Sequence, residues 1–231
     1  MAARRMANGE ASSRYEQRRL EVLRAAARTF NRLGFHVATL DDVAAELGVT
    51  KPALYYYAKS KDELIFACGK RALDALAVVL DKSGGPNLTA RQRLCRFFAL
   101  YAEVICEDFG RCLALTEPGD LSPDSRTKTV AGRRALNHAI REMIRDGVKD
   151  GSLRACDERA LSMALFDSFN GLARWFDSDG AQALAEVVEQ YLAIFLQGVS
   201  PVQASPAAQL NGAKAAPRRG GRPARAARAK P

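Results

Sequence analysis

"TLDDVAAELGVTKPALYYYAKSKDEL", residues 39–64, decides how this chain folds. Thr39 is a favoured helix-starting residue, and Asp41 and Asp42 fall in the first turn, where the helix dipole favours carboxylates. Leu40, Val43, Ala44 and Leu47 recur at helical spacing, and Gly48 supplies a stop. Only Val49 and Thr50 separate that stop from a second start. Thr50 is again a capping type, and Pro52 sits in the first turn, where its missing N–H costs nothing. Ser60, with Glu63 three residues on, opens a further helix. Two short helices joined by a tight glycine turn have the spacing of a helix-turn-helix.

The three adjacent tyrosines sharpen this reading. Successive helical side chains point about 100° apart, so Tyr55, Tyr56 and Tyr57 cannot all face one core. Leu54 and Tyr57, three apart, both reach back to the core. Tyr55 and Tyr56 then face outward, flanked by Lys51 and Lys59. A plain three-helix scaffold would explain the caps but leave the outward tyrosines and lysines without a role.

Upstream, Leu20, Leu23, Ala27, Phe30 and Leu33 form one apolar face of a helix from about Ser13 to Leu33, closed by Gly34 and Phe35. Downstream, helices are predicted at 61–82, 88–108, 123–150, 157–177 and 181–198. "SGGPN" breaks the first pair, and "EDFGRCLALTEPGDLSPDS" is irregular with a short helix at most. Strand alternation is absent, so the fold class is all-α. The predicted organisation is a disordered N-terminus, 1–12; a three-helix helix-turn-helix domain, 13–60; a helical body, 61–198, to which a family resemblance carried by residues 16–66 assigns effector binding and dimerisation; and a disordered basic Ala/Pro/Arg tail, 199–231.

Net charge is +9 and unevenly placed. Residues 1–70 hold 12 Lys/Arg against 8 Asp/Glu, residues 71–210 hold 16 against 18, and residues 211–231 hold 7 against none. Two separate basic regions can therefore meet a polyanion. No run of 18 apolar residues exists to span a membrane, and the N-terminus has no apolar stretch after its basic residues. The expected compartment is the cytoplasm. Cys68, Cys95, Cys106, Cys112 and Cys156 are odd in number and lack C-x-x-C spacing, which favours free thiols over a redox pair of Cys106 with Cys112. His36 and His138 have no zinc-like partners, so no metal site is expected. No nucleophile–base pair or glycine-rich phosphate loop points to an enzyme, and no cofactor is expected.

Over residues 16–66 the chain resembles the tetracycline-repressor (TetR/AcrR) family of bacterial regulators. "AAARTFNRLGFHVATLDDVAAELGVTKPALYYYAKSKDEL" follows the family pattern, with Ala58 replacing the usual aromatic. The resemblance implies an all-helical homodimer, a palindromic double-stranded DNA operator and a small-molecule effector. It implies that Tyr55 holds a phosphate and that Tyr56 lies on the groove side. Lys51, Pro52 and Ala53 would meet base edges, where a lysine can donate to guanine and small apolar groups can touch a thymine methyl. Thr39, Thr50 and Lys61 look like phosphate clamps. In the family the last two helices pair with their copies. Here that would use Leu161, Ala164, Leu165, Phe169 and Leu172 with Leu184, Val187, Val188, Tyr191, Leu192 and Phe195, a face that suits a core equally well.

Candidate pocket residues are Phe97, Phe98, Tyr101, Ile105, Phe109, Leu113, Met143, Phe166, Phe169, Asn170 and Trp175, each of which also suits core packing. "FDSFNGLARWF" resembles the branch of the family that senses acyl-CoA thioesters or other fatty or aromatic acid derivatives. Arg174 and Trp175 match its arginine–tryptophan pair, so Arg174 would meet an anionic group; a neutral lipophilic effector is the competing expectation. In the tail, "PRRGGRPAR" resembles an AT-hook, with Gly221, Arg222 and Pro223 matching its core. The doubled glycine departs from the motif, and a solubilising basic tail is the alternative. The predicted function is a ligand-released repressor; the alternative is an effector-independent architectural DNA-binding protein that relies on the tail.

Overall fold

The computed structural model describes the backbone of residues 2–198 and side chains from Ser13 onward. Of the described residues, 2–196 form one compact unit. The tail expectations, Arg222 included, lie outside the described residues.

All regular structure among the described residues is helical. The order is α1 (Ala2–Leu33), α2 (Leu40–Leu47), α3 (Lys51–Tyr55), α4 (Lys61–Ser83), α5 (Ala90–Cys106), α6 (Asp108–Leu115), a 3₁₀ turn at Pro118–Asp120, α7 (Pro123–Lys149), α8 (Glu158–Trp175) and α9 (Leu184–Gln197). The first helix starts at Ala2 instead of Ser13, so the segment expected to be disordered carries helical backbone. Its alanines, arginines and Met6 are strong helix formers, and they extend the helix beyond its apolar face.

The caps form where the sequence places them. The Thr39 hydroxyl accepts from the Asp42 N–H at 3.2 Å, and the Asp42 carboxylate accepts from the Thr39 N–H at 2.8 Å. Gly48 closes α2 in the left-handed region at φ 69°, and its N–H donates back towards Ala44 and Ala45. The Ser60 hydroxyl accepts from the Glu63 N–H at 3.1 Å. Gly110 meets a different demand. A side chain there would run into the Val104 carbonyl, so glycine lets α6 start directly against the end of α5.

Two apolar clusters result. The body cluster gathers α4, α5, α7 and α8 around Leu76, Leu94, Phe97, Phe98, Ile105, Ile140, Leu165 and Phe169. The head cluster joins Val22, Leu23, Ala26, Phe30, Val43, Leu54 and Ala58 to Leu64, Ile65 and Cys68 of α4 and to Cys112 of α6. A boundary at 60 therefore cuts through one core, because the start of α4 completes the head.

Polar contacts reinforce that junction. Asp62 in the first turn of α4 accepts from the Ser122 N–H at 2.7 Å, the Ser122 hydroxyl at 2.8 Å and the Ser125 hydroxyl at 2.9 Å. His36 lies 3.0 Å from Asp120, and the Asn31 amide donates to the Asp108 carbonyl at 2.9 Å. All five cysteines are free. Cys112 lies against Cys68, not Cys106; that neighbour and burial push the Cys68 thiol well above its ordinary range, which makes it a packing group.

Candidate nucleic-acid interface and effector cavity

The phase of α3 sorts its residues. Leu54 is fully buried, whereas Lys51, Pro52, Ala53, Tyr55 and Tyr56 are exposed, Tyr55 by 47% and Tyr56 by 72%. Tyr57 is half-buried. The helix is shorter than the tyrosine run: it ends at Tyr55, Tyr56 caps it in helical geometry, and the Tyr57 and Ala58 N–H groups both donate to the Leu54 carbonyl.

An aromatic brace holds the outward rings. Tyr15 of α1 stacks on Tyr57 at 5.6 Å between centroids and meets Tyr56 edge-on at 5.8 Å, while Tyr56 and Tyr57 meet edge-on at 5.1 Å. Offset and edge-on ring pairs are the favoured arrangements. The sequence reading missed Tyr15, because nothing local links it to residues forty positions on.

Lys51 reaches across to Asp41 of α2 at 2.8 Å, and this hydrogen bond raises its affinity for its proton. An exposed pair of this kind contributes little by itself, so the ammonium can change partners. The Thr50 hydroxyl makes no bond to the helix it precedes and is exposed.

Two expected phosphate clamps are committed elsewhere. The single side-chain donor of Thr39, its hydroxyl, is given to the Asp42 carboxylate at 2.7 Å. Lys61 donates to the carbonyls of Phe35 at 2.6 Å, Ala38 at 3.0 Å and His36 at 3.4 Å, and it sits 4.4 Å from the Phe35 ring centroid. An ammonium has three donors, and all three are used inside the fold. Lys61 thus ties the α1–α2 loop to the start of α4.

In the body, α4, α5, α6, α7 and α8 line a half-open cavity of about 560 Å³. Of the expected pocket residues, Tyr101, Leu113, Phe166 and Asn170 line it, and the Tyr101 hydroxyl donates to the Asn170 side-chain carbonyl at 2.7 Å. Burial pushes the Tyr101 hydroxyl well above its ordinary range, so it stays a neutral donor. Phe97, Phe98, Ile105, Met143 and Phe169 are buried core instead. Phe109 is half-buried, with the Arg71 guanidinium 5.7 Å from its ring centroid.

Arg174 and Trp175 do not reach the cavity. Phe169, Leu172, Ala173 and Phe176 set the buried phase at the end of α8, so the next positions turn outward; Trp175 is 51% exposed. Leu165, Phe169 and Leu172, expected at a dimer face, are likewise fully buried within one chain. Outward apolar groups near there are Met163 and Ile194, beside half-buried Tyr191, Leu192 and Phe195.

The cavity wall that sequence reading did not single out is α7. Arg133, Asn137 and Arg141 recur every four residues and line it, with Arg134 and His138 beside them. Such a stripe reads as a solvated face until α8 packs across it. Among the described residues, no group of acids, cysteines and histidines is placed to hold a metal ion, and no helix is long and apolar enough to cross a membrane.

Known proteins share this arrangement. Residues 22–68 match the family model described as bacterial regulatory proteins, tetR family, and residues 87–199 match the tetracyclin repressor-like C-terminal domain. The HTH-type transcriptional regulator HbdR of Aromatoleum sp. (strain CIB) is 25% identical over 79% of this chain and 80% of its own. The HTH-type transcriptional repressor KstR2 of Rhodococcus jostii (strain RHA1) is 28% identical over 79% of this chain and 91% of its own. The crystal structure of the TetR family transcriptional regulator PfmR from Thermus thermophilus superposes with a TM-score of 0.71 at 29% identity, covering 78% of this chain and 99% of that one. With a helix-turn-helix head and a repressor-like helical body both matched in order, the chain belongs to the tetR family of transcriptional regulators.

Proposed function

We propose that this protein is a ligand-responsive repressor that binds a palindromic operator as a homodimer and leaves it when a small effector occupies the body. One observation carries the reading: α3 buries Leu54 while holding Lys51, Pro52, Ala53, Tyr55 and Tyr56 out to solvent. In this reading Tyr56 and the Lys51–Ala53 turn meet base edges, and Tyr55 and Thr50 donate hydroxyls to phosphates. Lys51 exchanges Asp41 for DNA. Two copies would place two α3 helices about one DNA turn apart, ~34–36 Å, or somewhat more. The half-exposed apolar faces of α8 and α9 supply the dimer contact.

The cavity favours this reading over an architectural role, because a protein that only bends or coats DNA has no use for a half-open cavity of about 560 Å³. A repressor among the relatives supports the sign of regulation. The test is selection of bound duplexes from a random library followed by sequencing. An inverted repeat should emerge, and sedimentation should give two chains per duplex. Enrichment of no motif would overturn the reading.

A further inference from the structure

The cavity has an unbalanced wall. Leu73, Leu76, Leu113 and Phe166 give it an apolar side. At the same cavity, Arg133 of α7 is half-buried, and among the described residues its hydrogen bonds run from Nη2 to the carbonyls of Leu113 at 2.6 Å and Thr116 at 3.0 Å. Its Nε and Nη1 donate to no protein group among the described residues, and neither is sealed inside the protein. Among the described residues no carboxylate forms a salt bridge with Arg133 or with Arg134, which is exposed at the same wall. The other charges facing the space are largely settled: Arg141 is paired with Glu158 at 3.2 Å, and His138 lies 3.6 Å from Glu142. Asp167 of α8 is the one acid lining the wall. Two guanidinium groups of α7 therefore line the same space as one carboxylate, and the charge of Glu117 acts on Arg133 from nearby.

Withdrawing a guanidinium from water is costly unless an anion or good acceptors replace the water. Burial accordingly weakens the hold of Arg133 on its proton. Two carbonyls on Nη2 leave the N–H donors of Nε and Nη1 open, and each can give a charged hydrogen bond to an oxygen of a carboxylate or a phosphate.

We propose that the cavity takes an apolar acid, with its hydrocarbon or ring body against Leu73, Leu76, Leu113 and Phe166 and its anionic oxygens on Arg133 and Arg134. This rests on the reading of the body as an effector domain and supplies the chemical class that reading leaves open. It also moves the anion contact from Arg174, which is outside, to α7. The anion can belong to a free carboxylic acid or to the phosphates of a coenzyme A thioester.

The test is calorimetric titration of the full chain with straight-chain and fused-ring carboxylic acids. Each acid is compared with its neutral methyl ester and its coenzyme A thioester. The acid or the thioester should bind at least about tenfold tighter than the ester, the worth of a charged hydrogen bond. Arg133→Gln should erase that preference while leaving ester affinity in place, and Arg133→Lys should keep part of it should the glutamine variant fail to fold. Arg134→Gln should reduce it. A free acid that outbinds its thioester identifies the first source, and the reverse order the second; both support the inference. Acid and thioester both binding no tighter than the ester, a preference that survives Arg133→Gln with Arg134→Gln, or binding by none of the three kinds would overturn it. Titration needs no operator, so failure here leaves DNA binding standing, and failure to bind an operator leaves this result readable.

Discussion

The ring of Tyr15 lies edge-on to that of Tyr56, 5.8 Å between centroids and 80° between planes, so α1 braces the most exposed aromatic of α3. Ring pairs of this kind are worth about 0.5–1.5 kcal/mol beyond the area they bury. Tyr15→Ala should free the Tyr56 ring and weaken operator binding by that amount, whereas Tyr15→Phe keeps the ring and should bind like wild type. Fluorescence anisotropy titration with the selected duplex checks both. Equal loss in both variants would mean that the Tyr15 hydroxyl, and not its ring, acts.

Adjacent positions on α3 should separate stability from binding. Leu54 is fully buried in the head cluster, and removing such a side chain to alanine costs about 2–5 kcal/mol. Tyr56→Ala, at an exposed position, should change stability by no more than about 0.5 kcal/mol beyond its share of the ring cluster. Thermal and urea melts of the two variants measure the contrast. Similar losses would mean that α3 does not hold the phase described.

Lys61 should act on stability and not on DNA. Its ammonium serves three backbone carbonyls, so Lys61→Met should strand them and cost about 1–3 kcal/mol of stability. The salt dependence of DNA binding should stay as in wild type. A lost phosphate contact would instead flatten the log–log slope by about 0.9 per site.

Asp62 links α4 to α7 in a pH-dependent way. Burial pushes its carboxyl up, but hydrogen bonds from the Ser122 N–H and the Ser122 and Ser125 hydroxyls push it further down, so the folded value lies below the ordinary 3.8. A depressed carboxyl stabilises the fold fully above its unfolded value and loses that contribution as pH falls through the folded one. Asp62→Asn should therefore lower the melting temperature near neutrality and shrink the acid-induced loss below about pH 4. A variant whose melting temperature falls with acid as steeply as wild type would contradict the assignment.

The head was legible in the sequence because its signals are local. Thr39, Gly48, Thr50, Pro52 and Ser60 mark helix ends within a residue or two, and the spacing of Leu54 from Tyr57 fixes which tyrosines face out. The carbonyl contacts of Lys61 were not legible, because its partners lie more than twenty positions earlier and a lysine at a helix start looks alike whether it points at DNA or at the chain. Arg174 and Trp175 were placed by a short resemblance, although the buried run Phe169, Leu172, Ala173 and Phe176 already turns them outward. The arginines of α7 had no signal to offer. Only the packing of α8 across them turns a charged helix face into a cavity wall.

The central claim, that the exposed face of α3 reads the operator, is tested most directly by competition binding of Tyr56→Ala and Lys51→Ala between the selected duplex and a scrambled one. Each variant should lose about 1–3 kcal/mol on the selected duplex and keep its affinity for the scrambled one, so the specificity ratio falls. A wild-type ratio in both variants would contradict the claim and move the reading surface elsewhere.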